Sequence, residues 1–304
     1  MKGTNLMKEF KFKKIDAFAT IKSDGNPAGY INLDSRESIN ENEMQRIARE
    51  LKGFVNEVGY IYRENETTFS LKYYSSEREV EFCGHATIAI MYDIIKNTGS
   101  LINQKEISII TNKGQLVVEN QISSKDAVFI MAPNPDFRTS VIQKEEIAAA
   151  MNIGISDISD KFEISIVNAG LETLIIPINT LSSILRINPE LHTLKNFCIK
   201  NGIDIIEVFC NETYDTKCNF RTRVFAPTFG YLEDPATGSG NSAFGYYLLK
   251  NSLWNGESLI IEQNGTKDRY NIVQLKTRLD LNGSKRVLFG GGAITRIDGK
   301  YILT

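Results

Sequence analysis

Hydrophobic and polar residues alternate over short stretches along most of this chain, a pattern typical of β-strands that bury one face. Turn residues separate these stretches, as in Ser23-Asp24-Gly25-Asn26-Pro27. The pattern predicts strands over residues 12–19, 28–33, 59–63, 68–73, 79–82, 107–111, 115–119, 127–132, 164–167, 173–178, 219–225, 259–262, 270–276 and 286–289. Many short strands with few helices indicate an α+β fold.

A second kind of stretch has apolar residues at helical spacing. The predicted helices span residues 41–51, 85–96, 144–151 and 242–250. Residues 85–96 are apolar on nearly every face, and a helix of this kind is buried on all sides. We therefore expect a sheet to wrap around it.

The order of elements in the first half of the chain recurs in the second half. Gly84 and Gly238 each precede an apolar helix, and Asn168-Ala169-Gly170 resembles Asn26-Pro27-Ala28-Gly29. Each pair is separated by about half the chain, which predicts a duplicated α+β unit. We expect the active site in a cleft between two similar lobes.

The proline-containing stretch 133–139 is the predicted linker between the lobes. The N-terminal lobe is predicted over residues 8–132, completed by C-terminal strands within 285–304. The C-terminal lobe is predicted over residues 133–284. Met7 is an alternative start, so residues 1–6 are expected to form a disordered tail.

Composition and charge exclude several classes of function. Lys and Arg total 35 against 37 for Asp and Glu, so no charge excess points to nucleic acid or an anionic membrane. No run approaches the roughly 20 apolar residues of a membrane span. The Lys-rich opening has no apolar segment behind it, which argues against a secretory signal.

The cysteines and histidines show no metal-binding spacing. None of the four cysteines forms a C-x-x-C pair, and the two histidines lie far apart in sequence. A structural zinc site needs about four clustered ligands, so we expect no metal. We interpret the thiols as reduced and the protein as cytoplasmic.

Two short segments carry most of the chemistry. Residues 233–241 place Glu233, Asp234 and two glycines directly before an apolar helix, and residues 82–87 have a similar arrangement around His85. The free N–H groups of a helix start bind a negative charge, such as a substrate carboxylate. Acid–base side chains beside two such sites predict an enzyme that moves protons.

Together these segments resemble the PhzF-like family, the phenazine-biosynthesis isomerases with a diaminopimelate-epimerase-like fold. The resemblance covers nearly the whole chain in the same order. It is carried by Asp16-Ala17-Phe18, Gly25-Asn26-Pro27-Ala28, Cys83-Gly84-His85-Ala86-Thr87, Asn168-Ala169-Gly170, Phe225-Ala226-Pro227, Glu233-Asp234-Pro235-Ala236-Thr237-Gly238-Ser239 and Gly291-Gly292-Ala293 with Gly299.

The resemblance implies a fold, a reaction and an assembly. The fold has two lobes, each a curled β-sheet barrel around a central helix. The reaction is a cofactor-independent isomerisation, in which a proton moves at a carbon next to a carboxylate in a small organic acid. The assembly is a homodimer.

The same resemblance assigns the site residues. The family's acid/base glutamate falls on Glu57, although its neighbours Asn56 and Val58 depart from the family pattern. His85 and Asp234 take the remaining catalytic positions. The substrate-binding positions are Cys83, Gly84, Thr237, Gly238 and Ser239.

Each of these residues also has a purely structural interpretation. Glu57 can be a solvated charge, with Glu64 and Glu66 as rivals for its role. His85 and Asp234 can serve only to shape a helix start and a turn. Thr237 and Ser239 can be plain caps, and Cys83 a small buried apolar residue.

Three other functions stay open. An epimerase of the same fold would use two facing thiols, but Thr237 stands where the second one belongs, and a hydroxyl is a weaker base than a thiolate. A binding protein could keep the fold without catalysis. A dinucleotide oxidoreductase would fit the spacing of Gly238, Gly240 and Glu262, but no apolar strand directly precedes Gly238.

Overall fold

The computed structural model describes residues 7–304. The expectation of a disordered tail over residues 1–6 lies outside this range. The strands are β1 (Lys8–Ala17), β2 (Asn26–Leu33), β3 (Glu57–Arg63), β4 (Thr68–Ser75), β5 (Glu79–Val80), β6 (Glu106–Thr111), β7 (Gly114–Gln121), β8 (Ala127–Met131), β9 (Asp136–Thr139), β10 (Ser165–Asn168), β11 (Glu172–Pro177), β12 (Ile205–Cys210), β13 (Phe220–Phe225), β14 (Glu233–Asp234), β15 (Leu259–Gln263), β16 (Asn271–Leu279), β17 (Lys285–Gly291) and β18 (Ala293–Leu303).

Seven α-helices accompany the strands within the described residues. They are α1 (Glu41–Glu50), α2 (Gly84–Asn97), α3 (Ile122–Lys125), α4 (Lys144–Met151), α5 (Leu181–Arg186), α6 (Leu191–Asn201) and α7 (Gly238–Lys250). Short 3₁₀ turns occur at Arg36–Ser38, Ile155–Asp157 and Pro227–Phe229. The mixed α/β composition agrees with the class that the sequence predicts. No helix in residues 7–304 is both long and apolar enough to cross a membrane.

The contacts divide the chain into two units. The first unit comprises residues 24–130 with the flanking segments 7–19 and 291–304, and the second comprises residues 131–290 with residues 20–23. In the first unit the strands pair in the order β18-β1-β2-β3-β4-β6-β7-β8. All of these pairs are antiparallel except β2–β3 and β4–β6.

The second unit repeats this pairing scheme. Its strands pair in the order β9-β10-β11-β12-β13-β15-β16-β17. Parallel pairs again occupy the third and fifth places, at β11–β12 and β13–β15. The two-residue strands β5 and β14 pair with β4 and β13 and lead into the long helices α2 and α7.

Helices α2 and α7 are buried along most of their length. Every residue of α2 from Ala86 to Ile95 is buried, and so is every residue of α7 from Gly240 to Leu248. Within its own unit, α2 packs on β1, β2, β3 and β18, and α7 packs on β10, β11, β12 and β16. Such burial requires apolar residues on every side, which explains the helix pattern in the sequence.

Two sequence interpretations are wrong. The stretch 133–139 is not simply a linker, because Asp136–Thr139 forms β9 and pairs with β10. The match between Asn26 and Asn168 does not join equivalent positions either. Asn26 opens β2, whereas Asn168 ends β10.

Candidate functional site

Glu57 is held at the first position of β3. It pairs with Ala28 on the parallel strand β2 and with Ser75 on the antiparallel strand β4. The preceding residue, Asn56, donates its side-chain amide to Asn26 Oδ1 at 3.0 Å and its backbone N–H to Pro27 O at 3.2 Å. Strands on both sides therefore fix the backbone from which the Glu57 carboxylate projects.

Glu57, Cys83 and His85 converge at the start of α2. Nε2 of His85 lies 3.2 Å from Oε2 of Glu57, and Nδ1 lies 3.4 Å from Sγ of Cys83. The Glu57–His85 distance is that of an ion pair, but the alignment is not that of a hydrogen bond. Oε2 of Glu57 is consequently buried with no hydrogen-bond partner among the described residues.

The charges of the three groups influence one another. Burial lowers the pKa of His85, but Cys83 and Glu57 raise it, and the net result is a pKa well above the ordinary value. Burial and the nearby Glu57 carboxylate raise the pKa of the Cys83 thiol. The raised pKa favours the imidazolium form of His85.

The predicted residues of the second unit meet at the start of α7. Thr237 is the N-cap residue, but its hydroxyl donates to Asp234 Oδ2 at 2.7 Å instead of capping the helix. Gly238 and Ser239 follow as the first two residues of the helix. A Cβ atom at Gly238 would stand 2.4 Å from the ring of Phe289, so only glycine fits there.

The side chain of Gln263 links the turn before α7 to the first turn of that helix. The sequence analysis did not identify this residue. It is fully buried, and its Oε1 accepts the N–H of Thr237 at 3.0 Å and Nδ2 of Asn241 at 2.6 Å. Its Nε2 donates to the carbonyl of Asp234 at 2.9 Å. Nothing in the sequence links Gln263 to a segment 26 residues away. Asn241, a buried amide inside an apolar helix, is the one signal that was available.

The two helix starts share a hydrogen-bonding scheme. Thr87 Oγ1 donates to the carbonyl of the N-cap residue Cys83 at 2.7 Å. Asn241 Nδ2 donates in the same way to the carbonyl of the N-cap residue Thr237 at 2.8 Å. Each side chain reaches back four residues and fixes the turn from which the first N–H groups project. The first N–H groups of a helix have no partner inside the helix, and groups of this kind can bind an anion.

A buried acid lies behind the first turn of α7. Glu207 on β12 is fully buried, and neither carboxyl oxygen has a hydrogen-bond partner among the described residues. A Cβ atom at Gly240 would stand 2.7 Å from its Oε2, so the carboxyl group occupies the space that this glycine leaves. Burial raises the pKa of Glu207 well above its ordinary value. The group is therefore held as a neutral acid.

Two competing assignments lose support from the contacts. Glu262, the acidic partner that a dinucleotide site would need, is fully buried and bonded to Arg221 Nη1 at 3.0 Å. It also accepts the N–H groups of Tyr214 and Asp215, so it is not available to a ribose hydroxyl. Glu64, a rival for the role of Glu57, contacts Arg36 and Ser70 instead of the histidine.

Comparison with known proteins identifies related chains. A profile of the phenazine biosynthesis-like protein family matches residues 15–299. An uncharacterized isomerase of Clostridium acetobutylicum is 28% identical, over 98% of this chain and 100% of its own. The trans-2,3-dihydro-3-hydroxyanthranilate isomerase of Pseudomonas fluorescens is 25% identical, over 92% of this chain and 97% of its own.

A solved structure has the same fold. The crystal structure of the Bacillus anthracis phenazine biosynthesis protein of the PhzF family superposes with a TM-score of 0.85. Its sequence is 24% identical, and the alignment covers 98% of this chain and 99% of that one. The match therefore concerns the fold of nearly the whole chain.

Proposed function

The chain belongs to the phenazine biosynthesis-like family, and we propose that it is a cofactor-independent isomerase acting on a small organic acid. The reaction moves a proton at a carbon next to a carboxylate. One observation carries the proposal. It is the Glu57 carboxylate, fixed by two strands and placed 3.2 Å from His85 at the start of a buried helix. The names of the relatives as isomerases point to the same reaction class.

The proposed proton transfer uses Glu57 as base and then as acid. The Glu57 carboxylate takes the proton from the substrate carbon, and the electron pair of that C–H bond moves into the substrate carboxylate. Backbone N–H groups at the start of α2, near Gly84, stabilise the charge that develops. In a substrate with a carbon–carbon double bond conjugated with this enolate, the protonated Glu57 then returns the proton to the far carbon of that double bond. The product has the same composition as the substrate and a shifted double bond.

The remaining residues orient the substrate. The His85 imidazolium holds the Glu57 carboxylate on one side and stabilises negative charge. We assign Asp234 and Ser239 to polar groups of the substrate, with Asp234 kept in place by the Thr237 hydroxyl. Cys83 contributes a neutral thiol that lines the site beside His85.

We also propose the shape of each sheet, the assembly and the cellular location of the protein. Each sheet would curl around its own buried helix, because α2 and α7 each pack on several strands of their unit. We also propose a homodimer, which sedimentation analysis would reveal as twice the 34.2 kDa chain mass. We propose a reduced cytoplasmic setting, in which the four free cysteines remain thiols.

A substrate screen tests the reaction class. The protein would be incubated with trans-2,3-dihydro-3-hydroxyanthranilate and a panel of cyclic and amino carboxylic acids. NMR and chiral chromatography would then identify the products. We expect an isomer with a shifted double bond from one compound. Inversion at a single carbon would instead identify an epimerase, and binding without conversion would identify a binding protein.

A further inference from the structure

We propose that Glu57, Cys83 and His85 form an inhibitory Zn²⁺ site. Their ligand atoms, one from each residue, all lie within 4.8 Å of one another. The inference that zinc inhibits the protein rests on the function proposed above, because it places the metal on the acid/base Glu57. The inference that zinc binds rests on the geometry alone.

The spacing of the three ligand atoms suits a tetrahedral ion. Zinc bonds of about 2.0–2.3 Å place neighbouring ligand atoms about 3.3–3.6 Å apart in a tetrahedron. In the structure, Nε2 of His85 lies 3.2 Å from Oε2 of Glu57 and 4.0 Å from Sγ of Cys83. The His85–Glu57 distance already matches this spacing, and rotation of the Cys83 and Glu57 side chains would bring their ligand atoms, which lie within 4.8 Å, to the same spacing.

The chemistry of the donors selects the metal. One sulfur, one imidazole nitrogen and one carboxylate oxygen match zinc, whereas Mg²⁺ and Ca²⁺ prefer oxygen ligands alone. Three protein ligands leave a fourth position for water or a substrate oxygen. Binding releases the thiol proton of Cys83 and the proton of His85 Nε2, because the metal takes their place.

The surroundings favour binding in two further ways. Oε2 of Glu57 is buried without a hydrogen-bond partner in residues 7–304, so a cation would satisfy an oxygen that now lacks one. The side chains of His85 and Glu57 remain 13% and 21% exposed, so an ion can reach them from solvent. A metal there would coordinate the Glu57 oxygen that takes the proton and the His85 nitrogen that holds the Glu57 carboxylate.

Cobalt spectroscopy tests the site without any substrate. Co²⁺ alone would be titrated into protein freed of metal by chelation. We expect intense visible bands of a tetrahedral ion and a near-ultraviolet thiolate-to-cobalt band, with Zn²⁺ displacing Co²⁺ and Mg²⁺ having no effect. In Cys83→Ser and Cys83→Ala the thiolate band should vanish. In His85→Gln and Glu57→Gln the affinity should fall by more than about tenfold.

Matched controls use the chain's other cysteine and histidine candidates. Cys218→Ser removes the cysteine that is least buried, and His192→Gln removes the second histidine. Both variants should keep the wild-type spectrum. Circular dichroism of every variant would confirm folding. Absence of the thiolate band in the wild type, its survival in both folded Cys83 variants, or its loss in Cys218→Ser would overturn the site.

Inhibition is measured separately from binding. Where the wild type exchanges substrate protons with D2O, stoichiometric Zn²⁺ should stop the exchange and a chelator should restore it. Exchange that continues with the site filled by zinc would contradict the inhibitory role. A normal cobalt spectrum in a protein that exchanges no protons would leave the metal site standing and count against the proposed isomerase.

Discussion

His85 Nε2 lies 3.2 Å from Glu57 Oε2, which places an imidazolium against a carboxylate oxygen that has no hydrogen-bond partner in the described chain. The folded-state pKa of His85 is raised above its unfolded value. Its charge therefore stabilises the fold fully below pH about 6.5, and this stabilisation is lost as the pH rises through the folded-state pKa.

We predict a pH-dependent stability gap between the wild type and His85→Gln. The gap in the free energy of unfolding should be largest at pH 5–6 and should shrink above pH about 6.5, by up to about 1.4 kcal/mol per pH unit. Urea denaturation from pH 5 to pH 9 would measure it. A gap that is constant or grows with pH would show that His85 is not held as the imidazolium.

Glu207 should weaken the fold at neutral pH. Because its folded-state pKa is raised, the unfolded chain ionises at lower pH than the folded chain. Stability is therefore lost as the pH rises above about 4.5, at up to about 1.4 kcal/mol per pH unit.

Glu207→Met should remove this loss and make the protein more stable than the wild type at pH 7. Thermal and urea unfolding at pH 4.5 and pH 7 would measure the difference, with the exposed Glu145→Gln as control. Equal stability of wild type and Glu207→Met at pH 7 would contradict this prediction.

The contact between Gly240 and Glu207 predicts a coupled pair of substitutions. Gly240→Ala would place a methyl group 2.7 Å from Oε2 of Glu207, so it should cost about 1–3 kcal/mol by overpacking. Shortening the acid in Glu207→Ala should reduce the cost of adding the methyl group. A double-mutant cycle in urea would give the coupling energy. Purely additive effects would mean that the two residues do not compete for space.

Gln263 should control activity through the position of Asp234 and Thr237. Gln263→Leu removes the four side-chain hydrogen bonds of Gln263, including those to the Asp234 carbonyl and the Thr237 N–H. We expect kcat/KM to fall by roughly 10²-fold, since a shift of about 1 Å is enough for such a loss. At a pH where it is neutral, Gln263→Glu keeps the acceptor and one O–H donor in place of the two N–H donors, and should lie between wild type and Gln263→Leu. Steady-state kinetics with circular dichroism of each variant would measure the effect. Full activity in folded Gln263→Leu would remove Gln263 from the site.

Local patterns in the sequence were sufficient for much of the fold. The helix predicted over residues 144–151 has the bounds of α4, and the all-round apolar pattern of α2 indicated its burial correctly. Strand β12 was missed because Glu207 interrupts the apolar run 205–210 with a charged residue type. Strand β9 was missed because the prolines before it indicated a linker, and because all four of its residues are exposed.

One part of the candidate site is predicted by local sequence motifs, and the other part depends on contacts between distant segments. Short motifs located both helix starts, since a glycine-rich turn before an apolar run is a local signal. The start of α2 was predicted to within one residue, whereas α7 begins at Gly238, four residues before the predicted helix. The contact of Glu57 with His85 and the bonds from Gln263 depend on strand pairing between distant segments. Strand register is set by the packing of the whole unit, so neither contact can be found in one sequence without a family to compare.

The decisive measurement is deuterium exchange into a substrate in D2O, followed by mass spectrometry across a pool of small cyclic and amino carboxylic acids. Wild-type protein should introduce deuterium into one compound. Folded Glu57→Gln should introduce none, whereas Glu66→Gln, an exposed glutamate nearby in the sequence, should match the wild type. Equal exchange by wild type and Glu57→Gln would contradict the assignment of Glu57 as the acid/base and, with it, the proposed mechanism.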